Sequence, residues 1–322
     1  MFINMFGAIV GDIIGSTYEF NNTKNYNFEL FPSGSGYTDD SIMTIAVAKW
    51  LLIDPDHTYQ KLEDIFLEFG NKYPHPIGGY GSGFLRWLFC PQTLNVYGHR
   101  EDKPYNSKTG RCPYNSCGNG SAMRVSSVGW FFDTLEETER VAAISASITH
   151  NHPEGIKGAQ ATAAAIWMAR NNHTKEEIRN YIEEKYGYDL HKSYDYWYPI
   201  YKWDGTCQGT VPQAIICFLD SNNFEDAIRK AVSLGGDSDT LTCITGGIAE
   251  AYYKHIPNSI WKISWNMLSS EFKTIIKQFT EKINTLQYER IKYFEYLENS
   301  SISENEKDDL MLEYDNHLFC HI

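Results

Sequence analysis

The 322-residue sequence has no uninterrupted apolar run of about 18 residues, the length that a helix needs to cross a bilayer. We therefore expect no membrane span. The apolar segment at the N-terminus lacks a basic region and is interrupted by Asp12, which is unlike a secretory signal peptide. These absences predict a cytoplasmic protein.

Basic residues are also few. Lys and Arg number 28 against 41 Asp and Glu, which gives a net charge of −13. Such a chain is a poor candidate for binding nucleic acid through its overall field. A phosphate-containing ligand would need a local reversal of that field, from a metal ion or a helix N-terminus.

The cysteines do not indicate a disulfide framework or a zinc site. The seven cysteines are odd in number and scattered, and Cys112 and Cys117 do not have the spacing of a zinc-binding pair. We interpret them as reduced, mostly structural thiols.

Strand patterns are scarce, whereas helical patterns cover most of the chain, so we predict an all-α fold in a single compact domain. Gly7, Gly11 and Gly15 share one face of the first helix and favour close helix packing. Glycine- and proline-rich residues 74–83 and 89–120 are expected to be loops. Helices are expected at 3–16, 38–52, 58–70, 121–131, 136–149, 154–171, 174–186, 210–220, 223–234 and 240–254, and from residue 258 onward.

Two acidic clusters each begin a predicted helix. The first is Thr38-Asp39-Asp40, and the second is Gly235-Gly236-Asp237-Ser238-Asp239-Thr240. Carboxylate and hydroxyl oxygens suit Mg²⁺, Mn²⁺ or Ca²⁺, and four carboxylates in one place would need cations between them. Helix capping is the simpler explanation of either cluster taken alone, and the sequence leaves open whether the two meet.

Three other features could take part in chemistry. Glu19 follows the first helix among apolar and aromatic neighbours, which could raise its pKa. The turn at 117–124 and the run at 78–83 are glycine-rich loops whose backbone N–H groups could bind an anion. His150 and His152 resemble a zinc-peptidase pattern, which we reject because its downstream Ser and Asp are missing.

The order of these motifs resembles the ADP-ribosylglycohydrolase family, including the dinitrogenase reductase-activating glycohydrolases. The resemblance runs from about residue 5 to about residue 257. It rests on Gly11-Asp12-x-x-Gly15, Glu19-Phe20, Thr38-Asp39-Asp40, Gly118-Asn119-Gly120-Ser121-Ala122-Met123-Arg124, Thr149-His150 and the 235–240 cluster.

The resemblance implies an all-α domain at 1–260 with a central cleft that holds two Mg²⁺ ions, or Mn²⁺ in their place. It implies that Glu19 is the catalytic acid or base. The implied metal ligands are Thr38, Asp39, Asp40, Asp237, Asp239 and Thr240. The implied substrate-binding residues are Gly118, Asn119, Gly120, Ser121, Met123 and His150. Residues 261–322 have no counterpart in the motifs, and we expect a helical extension packed on the body, followed by an acidic tail.

The activity that the resemblance implies is metal-dependent hydrolysis of the glycosidic bond between ADP-ribose and a modified protein side chain or a small adduct. Two alternatives remain open at this point. One is a non-catalytic ADP-ribose-binding protein, either a reader or a structural member of the fold. The other is a Mg²⁺-dependent hydrolase of a phosphoester. The 89–117 loop borders the substrate loop and could select the acceptor.

Overall fold

The computed structural model describes residues 4–90, 109, 111–298, 302, 306, 307 and 310. These residues form helices and no β-strand, which confirms the predicted all-α fold. None of these helices is both long enough and apolar enough to span a membrane. A 3₁₀ turn lies at Ser16–Tyr18. The α-helices are α1 Phe6–Gly15, α2 Asp39–Ile53, α3 Tyr59–Lys72, α4 Ser82–Phe89, α5 Gly120–Met123, α6 Ser126–Phe131, α7 Leu135–Ser147, α8 Pro153–Arg170, α9 Lys175–Tyr186, α10 Tyr194–Trp197, α11 Cys207–Leu219, α12 Phe224–Leu234, α13 Ser238–Tyr253, α14 Asn258–Met267 and α15 Ser270–Glu298.

Helix α1 lies at the centre of the fold, and every residue in it is buried. A Cβ atom at Gly11 would lie closer than 3.0 Å to the backbone of Thr242 in α13, and one at Gly15 would lie 2.6 Å from the Cα atom of Asp239. The two helices therefore touch backbone to backbone. This contact confirms the close packing expected from the glycine spacing.

Threonine side chains fix the starts of several helices. The Thr38 hydroxyl accepts a hydrogen bond from the backbone N–H of Asp40, and Thr58, Thr134 and Thr174 cap α3, α7 and α9 in the same way. These bonds satisfy donors that have no partner inside the helix. The predicted capping role of Thr38 is confirmed.

Helix α15 packs mainly against α2. The ring of Phe272 is fully buried and stacks on Phe69 with a centroid distance of 6.3 Å. The helix packs on the body as expected, and its apolar residues at helical spacing are all buried: Ile275, Ile276, Phe279, Ile283 and Leu286. The division of the chain at residue 260 stays a prediction. Residues 91–108 and 110 of the predicted loop, and most of the acidic tail beyond 300, lie outside the described residues.

Helix α4 was not expected from the sequence. Its apolar residues Phe84, Trp87 and Leu88 have helical spacing and are buried. The Phe66 ring lies 5.9 Å from the Phe84 ring and 6.4 Å from the Trp87 ring. Packing against α3 therefore stabilises a helix too short to give a clear periodic pattern after a glycine-rich run.

The single helix expected at 121–131 is divided into α5 and α6. Arg124, which lies between them, has a ψ of −1° instead of a helical value. The carbonyl oxygen of Met123 accepts hydrogen bonds from Thr44 Oγ1 at 3.2 Å and Cys243 Sγ at 3.4 Å. Side chains of α2 and α13 thus donate the hydrogen bonds to this carbonyl that a backbone N–H group would donate in a continuous helix.

A buried carboxyl group lies at the opposite end of the α1–α13 contact from the acidic clusters. Glu250 Oε2 accepts a hydrogen bond of 2.8 Å from the backbone N–H of Gly7, whereas Oε1 is buried with no hydrogen-bond partner within the described structure. Burial raises the pKa of Glu250 to about 8, against the opposing effect of the backbone hydrogen bonds. The folded protein therefore favours the protonated form of this group.

We expect Glu250→Gln to remove part of the loss of stability that the protein undergoes as pH rises. The folded-state pKa is raised, so the contribution of Glu250 is fully present below about pH 4.5 and is lost by about pH 8. Urea unfolding across this pH range measures the free energy of unfolding. The difference between Glu250→Gln and wild type should shift in favour of the variant by at most about 1.4 kcal/mol per pH unit. Glu184→Gln on the exposed face of α9 is the control. Parallel pH profiles for wild type and Glu250→Gln would contradict the prediction.

Candidate active site

Asp12 on α1 is fully buried and fixes the start of α2. Its Oδ2 accepts hydrogen bonds of 3.0 Å from the backbone N–H groups of Thr38 and Ser41, and the Ser41 hydroxyl also donates to it. Its Oδ1 accepts a bond of 2.7 Å from Thr38 Oγ1. Burial raises the pKa of Asp12 to about 6 even against these hydrogen bonds. The first turn of α2 is therefore held against α1.

The two acidic clusters meet where α2 and α13 begin. The Thr240 hydroxyl donates a hydrogen bond of 3.3 Å to Asp40 Oδ2, which joins the second cluster to the first. Gly235 and Gly236 both have positive φ angles and turn the chain tightly before Asp237, as their position in the sequence predicts. The structure thus answers the question that the sequence left open.

The carboxyl groups of these clusters favour their protonated forms. Burial, followed by the charges of neighbouring carboxylates, raises the pKa values of Asp39, Asp40 and Asp239 well above the usual range for aspartate. Burial also raises the pKa of Asp237, although a hydrogen bond from Asn119 opposes this effect. The charged cluster is therefore unstable without a positive partner.

Glu19 follows the 3₁₀ turn after α1 and lies beside the second cluster. Carboxylate oxygens of Glu19, Asp237 and Asp239 all lie within 4.8 Å of one another. Burial, and then the charges of Asp237 and Asp12, raise the pKa of Glu19 to about 7. A carboxyl group with a pKa near neutrality is suited to donate or accept a proton.

Two carboxylate oxygens in the cluster lack hydrogen bonds within the described residues. They are Glu19 Oε2 and Asp40 Oδ1, and both are buried. Burying a charged oxygen without a partner is costly, and a divalent cation coordinated by these oxygens would remove that cost. The donor set of this acidic cluster therefore fits a metal ion.

The glycine loop at 118–120 lies between the acidic cluster and His150. The Asn119 backbone N–H donates to the Gly205 carbonyl at 2.9 Å, and its side-chain amide donates to Asp237 Oδ2 at 2.7 Å. A Cβ atom at Gly120 would lie 3.1 Å from His150 Nε2. The loop is therefore held tightly, and its glycines allow the imidazole to approach its backbone.

Most of the residues expected at the site line one cleft of about 390 Å³, a volume within the range of ligand pockets. They are Glu19, Asp39, Asp40, Asp237, Asp239, Thr240, Gly118, Asn119, Gly120, Met123 and His150. Thr38 is buried behind the cleft and bonded to Asp12. Ser121 is also buried, and its hydroxyl donates to the Gly155 carbonyl at 2.7 Å. The roles expected of all these residues, including Thr38 and Ser121, stay predictions.

Other cleft residues were not assigned to the site from the sequence. The glycine-rich run that ends in α4 forms one wall, and a Cβ atom at Gly78 would lie 2.7 Å from Glu19 Oε2. Phe20 and Trp203 also line the cleft and are largely exposed. The glycine run was a usable signal for this wall, and Phe20 is part of the Glu19-Phe20 motif, whereas no sequence pattern distinguishes Trp203.

Comparison with known proteins identifies the family. A family model described as ADP-ribosylglycohydrolase matches residues 4–289, and the chain belongs to this family. The match extends beyond the motif resemblance that ended near residue 257 and includes most of α15, so residues 261–289 do have a counterpart in the family model.

Individual relatives are more distant. The chain is 27% identical to ADP-ribosylhydrolase ARH3 of Mus musculus, over 80% of this chain and 85% of that protein. It is 28% identical to a putative ADP-ribosyl glycohydrolase of Acanthamoeba polyphaga mimivirus, over 79% and 87% of the two chains. A solved structure titled ADP-ribosylglycohydrolase-related protein complex matches with a TM-score of 0.62 at 22% identity, covering 87% of this chain and 96% of that one, and so supports the fold.

We expect Gly78→Ala to destabilise the protein more than Gly79→Ala. Both glycines have positive φ angles, so each alanine adds about 1 kcal/mol of backbone strain. Only the Cβ at position 78 also meets Glu19, whereas a Cβ at position 79 meets nothing within 4 Å. Overpacking at position 78 should cost about 1 kcal/mol more.

Chemical denaturation of both variants, alone and combined with Glu19→Ala, measures this contact. Removing the carboxylate should make the two alanine substitutions equally costly. If the excess cost at position 78 persists without the Glu19 side chain, the contact is not its cause.

Proposed function

We propose that this protein is a divalent-metal-dependent hydrolase that cleaves the glycosidic bond between ADP-ribose and a modified protein side chain or a small adduct. The family membership supports the reaction class. One observation carries the proposal for this chain. Glu19, with a pKa of about 7, lies beside Asp237 and Asp239 in the cleft that also contains the glycine loop.

Two Mg²⁺ ions, or Mn²⁺ in their place, would be held by the oxygens of the acidic cluster. The proposed ligands are Thr38, Asp39, Asp40, Asp237, Asp239 and Thr240. Bound ions of this kind polarise a water molecule and orient substrate oxygens. The hydrogen bond from Thr240 to Asp40 and the bonds from α2 to Asp12 hold these proposed ligands in position.

Glu19 would act on the scissile bond as general acid or general base. Glycoside hydrolysis passes through an oxocarbenium-like transition state, in which the leaving group needs a proton and the attacking water must lose one. Burial, which is the main cause of the raised pKa of Glu19, favours the protonated form that a general acid needs.

The glycine loop and His150 would hold the ADP-ribose portion. Gly118 and Gly120 expose backbone at the cleft surface, and the Asn119 side chain keeps the loop against Asp237. Backbone N–H groups and a histidine at the loop would allow a phosphate-containing ligand to bind although the chain has a net charge of −13.

We expect Glu19→Gln to lower the rate of ADP-ribose release by about 10²–10⁴-fold, the usual contribution of a general acid or base. The amide retains the shape of the side chain, so affinity for ADP-ribose should stay within about threefold. Turnover and calorimetric binding are measured on the same preparation, with the exposed Glu29→Gln as control. Normal turnover by Glu19→Gln would remove Glu19 from the mechanism.

Product analysis of the same reactions separates the alternatives. Free ADP-ribose indicates glycosidic cleavage, whereas AMP indicates cleavage of a phosphate bond. Binding of ADP-ribose without any release from arginine-, serine- or small-molecule-linked substrates would favour a reader.

We expect Mg²⁺ to raise the unfolding temperature of the wild-type protein, and Asp239→Asn to abolish most of this effect. Loss of one ligand should weaken Mg²⁺ binding at least about tenfold, because even indirect partners of metal ligands contribute about 10–100-fold. Protons compete for the same oxygens, whose pKa values are raised, so binding should weaken from pH 8 to pH 5.5. Calorimetric titration measures both effects.

Asp64→Asn is the matched control, because Asp64 lies exposed on α3. EDTA should also stop ADP-ribose release, and added Mg²⁺ should restore it. Equal Mg²⁺ affinity in wild type and Asp239→Asn would refute the ligand role of Asp239.

A further inference from the structure

Behind the glycine loop, a chain of buried polar groups leads to His150. The Arg124 side chain is 1% exposed, and its guanidinium lies 4.7 Å from the centre of the Phe66 ring. Arg124 Nη2 donates to the Ser145 carbonyl and to Thr149 Oγ1, both at 2.8 Å. Thr149 Oγ1 in turn lies 2.7 Å from His150 Nδ1.

The chemistry of these groups fixes the direction of the hydrogen bonds. A guanidinium has only donors, so Thr149 Oγ1 accepts from Arg124. The hydroxyl proton of Thr149 must then find an acceptor, because the residue is fully buried. Its other hydrogen-bond neighbour among the described residues is His150 Nδ1. Leaving that proton without an acceptor would cost the desolvation of a buried donor.

When Nδ1 accepts a hydrogen bond, a neutral imidazole carries its proton on Nε2. Burial, together with the charge of Arg124, lowers the pKa of His150 well below its usual range, so the ring is neutral. Nε2 lies 3.1 Å from the position of a Cβ at Gly120 and 3.5 Å from one at Gly118, and His150 lines the cleft. The N–H group is therefore placed at the glycine loop.

We infer that Arg124 and Thr149 are positioning residues that hold His150 in its Nε2–H tautomer, so that a neutral imidazole donates a hydrogen bond to an oxygen of the ligand at the glycine loop. The identity of that ligand as ADP-ribose rests on the proposed function. The tautomer does not, because the contacts that set it lie within the protein.

The tautomer is measured first, in the ligand-free protein, by long-range ¹H–¹⁵N correlation spectra of the histidine rings. His150→Gln identifies the signals of His150. In the wild type we expect an unprotonated Nδ1 and a protonated Nε2. Thr149→Val should remove this preference, whereas Thr149→Ser, which retains the hydroxyl, should preserve it. A wild-type ring protonated on Nδ1 would overturn the inference, as would an unchanged pattern in Thr149→Val.

Calorimetric titration with ADP-ribose, in the presence of Mg²⁺, measures the consequence for binding. Thr149→Val should weaken binding about tenfold, the equivalent of one hydrogen bond, and Thr149→Ser should restore it to within about twofold of wild type. The matched control is Thr138→Val on α7, since Thr138 is equally buried and its hydroxyl donates to the Thr134 carbonyl, one helical turn earlier, at 2.8 Å.

These two measurements separate the inference from the proposed function. If the wild type has the Nε2–H tautomer and loses it in Thr149→Val, the positioning role stands even when no linkage is hydrolysed. If Thr138→Val changes the tautomer and the affinity as much as Thr149→Val does, the effect is general loosening of the core and the inference fails. The wild-type spectrum decides the tautomer even if Thr149→Val does not fold.

Discussion

The contact between the backbones of α1 and α13 is the constraint on which the site depends. Glycines on one face of α1 allow this contact. Because they have no Cβ atom, Gly15 packs directly against the backbone of Asp239. On the other side of the same helix, Asp12 holds the first turn of α2. Helix α1 thus sets the distance between two acidic clusters that are about 200 residues apart in the chain. The remaining helices bury this central unit and keep it rigid.

The close contact between the helices keeps these carboxyl groups near one another. Carboxyl groups brought together in a buried place would separate or take up protons, and the raised pKa values of Asp40 and Asp239 record that tendency. Here the backbone contact between α1 and α13 prevents the carboxyl groups from moving apart. The repulsion between these carboxyl groups favours a ligand that neutralises their oxygens, and among the described residues Asp40 Oδ1 has no hydrogen-bond partner that would do so.

Much of this arrangement could be predicted from the sequence. Helical periodicity indicated the fold class, and two acidic helix starts with a glycine loop indicated the resemblance to a family. The contact between Asp40 and Thr240 could not be derived, because local patterns carry no information on pairs so distant in the chain. Helix α4 was too short for its periodicity to stand out. The inward direction of Ser121 depends on the turn of a four-residue helix, which composition does not determine.

Arg124 gives the cleft an electrical polarity. Arg124 lines the same cleft as Glu19 and the carboxyl groups of the acidic clusters, and its guanidinium donates a hydrogen bond to Thr149. A ligand with anionic phosphates at one end and a neutral sugar at the other would meet a field that distinguishes its two ends before any hydrogen bond forms. A buried cation and a group of carboxyl groups in the same cleft therefore give such a molecule a preferred direction.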